Sequence, residues 1–307
     1  MSRTAAVLNP AKIEDLPGLK AAITERCGGE EPSWFETTEE DTGAGQAAAA
    51  VAAGAKLVLV CGGDGTIAAC AGTLAGTDVA MAVLPVGTGN LLARNLDIPL
   101  ELPAALEVAF GSTQRFIDVL EAEDQRFVVM AGLGFDAALI RDTDEDLKRR
   151  VGWLAYIGGL ARALRRSPRA RFTITLDDGL PLSTVAVGVL VGNVGQLEAG
   201  ITLMPEASLD DGQLDVIVLA PRSISDWPAL AWRILRRRPD SGRQADILRG
   251  KRVRITSDVE APVEFDGDFR GHTTELRVEV LPAALLMRCP QPAGPQPVGS
   301  KRAGRQP

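Results

Sequence analysis

Two apolar runs, each ended by a glycine-rich turn and followed by a helical pattern, constrain this chain more than any other feature. Leu57 to Val60 runs into Gly62-Gly63-Asp64-Gly65-Thr66, and Val79 to Leu84 runs into Pro85-Val86-Gly87-Thr88-Gly89-Asn90. A strand that is apolar without alternation is covered on both faces, as strands of parallel sheets are. The same rhythm holds upstream. Ala5 to Leu8 reads as a strand stopped by Asn9-Pro10, Leu16 to Cys27 as a helix, Ser33 to Thr38 as a strand, and Gln46 to Gly54 as a helix. Ile67 to Leu74 and Gly89 to Asn95 carry the helical patterns after the two turns. Strands alternating with helices predict an α/β fold with an N-terminal doubly wound, mostly parallel sheet.

From about Phe116 the pattern changes. Arg126 to Met130, Arg171 to Leu176, Val185 to Val191, Leu214 to Leu219, Val253 to Ser257, Val263 to Asp266 and Glu275 to Val280 all read as strands. They predict a C-terminal, mostly antiparallel β-sandwich or barrel. The 307 residues suit two domains. The division expected is 1–120 for an α/β nucleotide-binding domain and 121–288 for a β-rich acceptor domain. The tail, 289–307, is rich in Pro, Gly, Gln and basic residues and reads as disordered.

Four cysteines without paired spacing and a single histidine exclude a disulfide scaffold or a zinc motif, and fit a reducing cytosol. There is no signal-peptide pattern, and no apolar run reaches the length of about 18 residues that a spanning helix requires. A net charge of −7 argues against nucleic acid as a partner. The basic residues are clustered, with eight and no acidic residue from Lys148 to Arg171, and a further run at Arg233 to Arg238.

The chemistry concentrates in the glycine turns. Glycines let a backbone turn tightly and approach a ligand, and successive N–H groups at a helix N-terminus form an anion site suited to phosphate. Thr66 can add a hydroxyl. A carboxylate at Asp64 would repel phosphate unless a metal ion bridges the two. The competing reading is a plain glycine turn in which Asp64 caps the helix. Two such turns in adjacent units fall at neighbouring C-terminal strand ends, where doubly wound sheets bind ligands. Neither turn is a Walker A loop or a GxGxxG fingerprint.

The ordered series of motifs resembles the diacylglycerol kinase catalytic-domain family, in its soluble bacterial lipid-kinase branch. The residues carrying the resemblance are Asn9-Pro10, the GGDGT at 62–66, and Leu84 to Asn90. Gly132-Leu133-Gly134-Phe135-Asp136-Ala137, Gly152 to Tyr156, Pro205 to Val216 and Asp266-Gly267-Asp268 follow. GGDGT alone is shared with NAD kinases and phosphofructokinase relatives, so the resemblance implies a sheet of that type.

It further implies an ATP-dependent kinase acting on a lipid hydroxyl, with diacylglycerol as the leading acceptor and a sphingoid base or glycolipid as alternatives. Nucleotide contacts fall on Asn9, Gly62, Gly63, Asp64, Gly65, Thr66, Gly87, Thr88, Gly89 and Asn90. A threonine at the end of the second strand joins them, and of Thr37 and Thr38 the resemblance favours Thr37. The proton acceptor falls on Asp268, where the family carries Glu; Asp64 and Asp266 complete the catalytic carboxylates. A structural Mg²⁺ falls on Asp211 with oxygens at Ser208 and Gln213, although Asp210-Asp211-Gly212 also reads as an ordinary hairpin turn. The implied partners are ATP and a lipid acceptor at a membrane surface, with a homodimer allowed, and the implied place is the cytoplasm, peripheral to the inner membrane face. A non-enzymatic lipid-binding regulator is the remaining alternative, suggested by the Glu-to-Asp departure at 268.

Asp146 to Leu164 has helical spacing with Trp153 and Tyr156 beside a cationic face, and Trp227 to Arg238 is similar. Each reads either as a membrane-surface helix or as a packed helix with solvated charges. His272 and Cys61 are assigned to structure.

Overall fold

The computed structural model describes residues 4–111, 113–134, 168–196, 202–220 and 247–291. Its first half has β1 (Thr4–Leu8), α1 (Leu16–Arg26), β2 (Ser33–Glu36), α2 (Ala44–Ala52), β3 (Leu57–Gly62), α3 (Asp64–Leu74), β4 (Ala80–Pro85), α4 (Leu91–Asn95) and α5 (Leu102–Phe110). All pairings among β2, β1, β3 and β4, in that spatial order, are parallel. Every residue of β3 and β4 is buried, which is why neither alternates. The chain moves outward from β1 to β2, then returns past β1 to β3 and continues the other way to β4. Right-handed crossovers on opposite sides of that reversal place α1 and α3 on opposite faces. The reversal is also a topological switch point, where ligands of such sheets sit.

The second half has β5 (Gln114–Ala122), β6 (Gln125–Phe127), β7 (Met130–Leu133), β8 (Ala170–Leu176), β9 (Leu182–Ala186), β10 (Gly188–Gly192), β11 (Leu214–Leu219), β12 (Ile247–Gly250), β13 (Arg252–Phe265) and β14 (Asp268–Arg288). Its own pairings are antiparallel. β13 makes the sandwich. Its first part pairs with β8 and its last part with β7, and its register with β14 shifts between Thr256 and Ala261. A shift of that kind bends a strand and lets it pass from one layer to the other. Between the layers lie Phe172 and Ile174 of β8, Val189 and Val191 of β10, and Val216 of β11.

β14 joins the two halves. Leu276, Val278 and Val280 belong to the sandwich core, whereas Leu285 and Met287 are fully buried in the core of the parallel sheet. Met287 pairs in parallel with Met81 of β4. The contiguous division expected at residue 120 therefore has an exception, since the last turnless stretch of β14 packs with the first half.

Four expected strands divide or merge in the structure. Arg126 to Met130 divides into β6 and the start of β7, because the N–H groups of Val128, Val129 and Met130 all turn to the Asp266 carboxylate. Val185 to Val191 divides at Val187, whose N–H leaves β8's partner strand and donates to Leu219. Val253 to Ser257 and Val263 to Asp266 are one strand. α5, β5 and β12 occupy stretches to which the sequence pattern assigns no element. Residues 135–137 of the Gly132 motif, the motif at 152–156, the amphipathic segments at 146–164 and 227–238, and the tail beyond 291 lie outside the described residues. Among the described residues no helix is long and apolar enough to cross a membrane.

Candidate active site

The C-terminal ends of β2, β1, β3 and β4 are in register, so the residues that follow them form a row: Thr37, Asn9, Gly63 and Val86. Asn9 sits at the switch point. Its N–H donates to Cys61 at 2.8 Å, and its Nδ2 reaches Thr66 Oγ1 at 3.4 Å. Thr37 donates its N–H to Leu8 at 2.8 Å and has no other partner among the described residues. Thr38 differs, because its hydroxyl accepts the Asp41 N–H at 3.1 Å and so closes a local turn. Cys61, at the end of β3, is fully buried.

The two glycine loops are pressed together. A Cβ placed on Gly87 would lie 2.8 Å from Gly63 Cα, closer than any side chain is tolerated. Asp64 fastens them. Its Oδ2 accepts the Asn90 N–H at 2.9 Å and its Oδ1 accepts the Leu91 N–H at 2.7 Å. Asp64 thus caps not its own helix, as one sequence reading had it, but the helix that follows the second loop. Asn90 is buried and left-handed at φ 49, a region that asparagine tolerates. Its side chain pairs both ways with Gly87, accepting from N at 3.1 Å and donating to O at 2.8 Å. The Gly89 carbonyl accepts Arg94 Nε at 2.9 Å, and Thr88 is exposed at the tip. Arg94 was not anticipated from the sequence. Its place, five residues after Gly89 on a helix whose side chains lean toward the N-terminus, is the signal that could have found it.

The second half closes over this row with the turn between β13 and β14. Asp268, the first residue of β14, has its Oδ2 3.9 Å from the position a Gly65 Cβ would take, and 3.8 Å from the Arg270 guanidinium. Asp266 faces inward. Burial, and to a lesser degree the nearby charge of Asp64, pushes its carboxyl up to about 6 despite three backbone N–H donors. Asp64, Asp266 and Asp268 are therefore brought to one place from opposite ends of the sequence. His272 packs edge-on against Phe269, with ring centroids 5.4 Å apart.

The residues expected to hold a structural metal lie elsewhere, on the turn before β11. Ser208 Oγ donates to Asp210 Oδ1 at 2.7 Å, and Asp211 Oδ1 accepts the Gln213 N–H at 3.0 Å. Asp210 is paired with Arg115, which holds its carboxyl below the usual range. Buried Asp118 accepts the Gly212 N–H at 2.7 Å and the Ala283 N–H at 2.8 Å, and burial pushes its carboxyl up. Arg249 is bonded to buried Asp215 at 3.0 Å and stands 3.8 Å from Asp211. Among the described residues no three His, Cys, Asp or Glu side chains converge as a metal cage.

Residues 20–122 match the model of the diacylglycerol kinase catalytic domain, and residues 128–289 match that of the YegS C-terminal NAD kinase beta sandwich-like domain. A protein of Chromohalobacter salexigens named probable lipid kinase YegS-like is 31% identical, over 93% of this chain and 92% of its own. The diacylglycerol kinase of Bacillus subtilis is 28% identical, over 88% and 91%. The crystal structure of a diacylglycerol kinase from Bacillus anthracis superposes with a TM-score of 0.77 at 25% identity, covering 94% of this chain and 97% of the other. The chain spans 55% of a longer, uncharacterized Synechocystis relative. Fold and relatives together define an ATP-dependent kinase on an NAD kinase-like scaffold. The chain belongs to the diacylglycerol kinase catalytic domain family, in the branch that carries the YegS-type sandwich.

Proposed function

We propose that this protein transfers the γ-phosphoryl group of ATP to a lipid hydroxyl, with diacylglycerol as acceptor and phosphatidic acid as product. The observation that carries the proposal is the approach of Asp268 to Gly65 in the first of the two clamped glycine loops. The row from Thr37 and Asn9 through Gly62, Gly63, Gly65 and Thr66 to Gly87, Thr88, Gly89 and Asn90 would bind the nucleotide, with backbone N–H groups toward phosphate. Asp268 would accept the proton of the attacking hydroxyl, a task that requires hydrogen-bond reach rather than burial. Its partial exposure leaves it open to an acceptor arriving between the halves.

Asp64 and Asp268 place negative charge in a phosphate site, and Asp64 would hold a Mg²⁺ ion that offsets it. Mg²⁺ is typically bound by only one or two carboxylates. When bound, the ion neutralises charge on the phosphates. A second Mg²⁺ at Asp211, with backbone oxygens of Ser208 and Gln213, would hold the turn before β11. We assign residues 1–120, with the end of β14 that packs on them, to nucleotide binding and the rest of 121–288 to the acceptor. The acceptor's own location puts the enzyme at the inner membrane face, working from the cytoplasm, and a homodimer is compatible with the reading.

The Chromohalobacter relative's name specifies a lipid kinase but no acceptor, which favours keeping sphingoid bases and glycolipids as a second reading. The test is transfer of radiolabel from Mg²⁺-ATP to diacylglycerol, a sphingoid base or a glycolipid in mixed micelles, resolved by thin-layer chromatography. Labelled phosphatidic acid is expected, with kcat lowered about 10²- to 10⁴-fold in Asp268→Ala. Label on another lipid alone would replace the acceptor, and label on none would reject the function.

A further inference from the structure

Asp266 is the carboxylate near the site with no role in the chemistry above. With φ 47, followed by Gly267 at φ 85, it forms the two-residue turn between the paired Phe265 and Asp268. Such a hairpin turn calls for Asn-Gly or Asp-Gly, and asparagine would serve as well as aspartate. The turn therefore does not explain the carboxylate.

Its contacts do explain it. Oδ1 accepts the N–H groups of Val129 and Met130, both at 2.9 Å, and Oδ2 accepts that of Val128 at 3.2 Å. The Asp266 N–H returns a bond to the Met130 carbonyl at 2.8 Å. Beside these bonds Phe127 stacks on Phe265, with centroids 5.1 Å apart and planes at 27°. Three donors converge on one side chain from a single bend. Only a group that accepts on both arms satisfies all three, because the Nδ2 of asparagine would meet the Val128 N–H donor to donor. Burying a charge is costly, and three N–H donors offset part of that cost.

We propose that Asp266 is a positioning residue: it straps the β13–β14 turn to the 128–130 bend, and so holds Asp268 over Gly65 without touching nucleotide or acceptor. The consequence for catalysis rests on Asp268 being the proton acceptor; the strap itself does not. Displacing a base by about 1 Å can cost about 10²-fold in rate, so the strap matters out of proportion to its contacts.

The experiment compares the full-length wild type with Asp266→Asn and Asp266→Ala. Hydrogen–deuterium exchange is followed at 128–130 and 265–270, alongside ATP affinity and, with the lipid that wild type phosphorylates, kcat and KM. Exchange at both segments is expected to quicken at least tenfold in the alanine variant and less in the asparagine variant, which keeps the two bonds to Oδ1. ATP affinity should stay within about threefold, and kcat should fall in the same order, toward about 10²-fold in the alanine variant. Unchanged exchange at 265–270, or quickened exchange with unchanged kcat, overturns the proposal. So does a loss of kcat matched by an equal loss of ATP affinity, the mark of general unfolding. Should alanine fail to fold, the asparagine variant carries the same comparison. A wild type that labels no lipid but whose variants show the exchange pattern upholds the strap and rejects only the kinase reading.

Discussion

At the residue scale the site is tightest at Gly87, where the two glycine loops meet. A methyl group there would meet the Gly63 backbone at 2.8 Å, and backbone cannot swing aside as a side chain can. Gly87→Ala is expected to cost about 1–3 kcal/mol and to raise KM for ATP more than it lowers kcat. Urea unfolding and steady-state kinetics would check both, and an unchanged KM would separate the loop from the nucleotide. What could be read from the sequence at this scale was what is local. The spacing of glycines after apolar runs marks both loops, and the order of motifs marks Asp268. The partners of Asp64 were not legible, because they are two N–H groups supplied by Asn90 and Leu91 in the next strand-to-helix unit. Nor were those of Asp266, whose three donors come from residues 128–130, far earlier in the chain. A carboxylate that binds backbone leaves no complementary side chain in the sequence to betray it.

Among elements, α4 is the least able to stand alone. It has five residues, well short of the length at which helices persist in water. It is held at both ends by side chains: Asp64 at its start, and at its end Asn95, whose Oδ1 accepts the Gln196 N–H at 3.0 Å while Nδ2 donates to the Gln196 carbonyl at 2.9 Å. The amide of Asn95 thus imitates a strand partner for the loop after β10, and ties the second glycine loop to the sandwich. Asn95→Asp keeps the shape but sets a carboxylate oxygen against a carbonyl. A loss of about 1–3 kcal/mol is expected, with ATP affinity kept and KM for the lipid raised. Equal KM values in calorimetrically folded variant and wild type would argue against the tie. Fully apolar β3 and β4 were legible because burial on both faces leaves no alternation to misread. β6, β7, β9 and β10 were legible as extended chain but not as separate strands, since the breaks at Val128 and Val187 come from distant partners rather than from local turn residues.

At the scale of the molecule, buried and exposed carboxylates pull stability in opposite directions with pH. Burial raises the carboxyls of Asp118, Asp215 and Asp266, the last to about 6 from an ordinary 3.8. Stability from a raised group is complete below its unfolded value and is lost as pH rises through the folded one. Arginine partners lower Glu107, Asp210 and Glu275, whose contribution is present above the ordinary range and lost as pH falls through their folded values. The urea midpoint in metal-free buffer is therefore expected to be higher near pH 5 than at pH 7.5, and Asp266→Asn to flatten that slope. A wild-type midpoint that climbs steadily from 5 to 7.5 would contradict the burial of these groups.

β14 gives the molecule a built-in order of events. The slot beside Met81 is filled by Met287, so the nucleotide half stays short of a wall until β14 has left the ribosome. An interrupted translation product would thus be a substrate for proteases rather than a stray consumer of ATP.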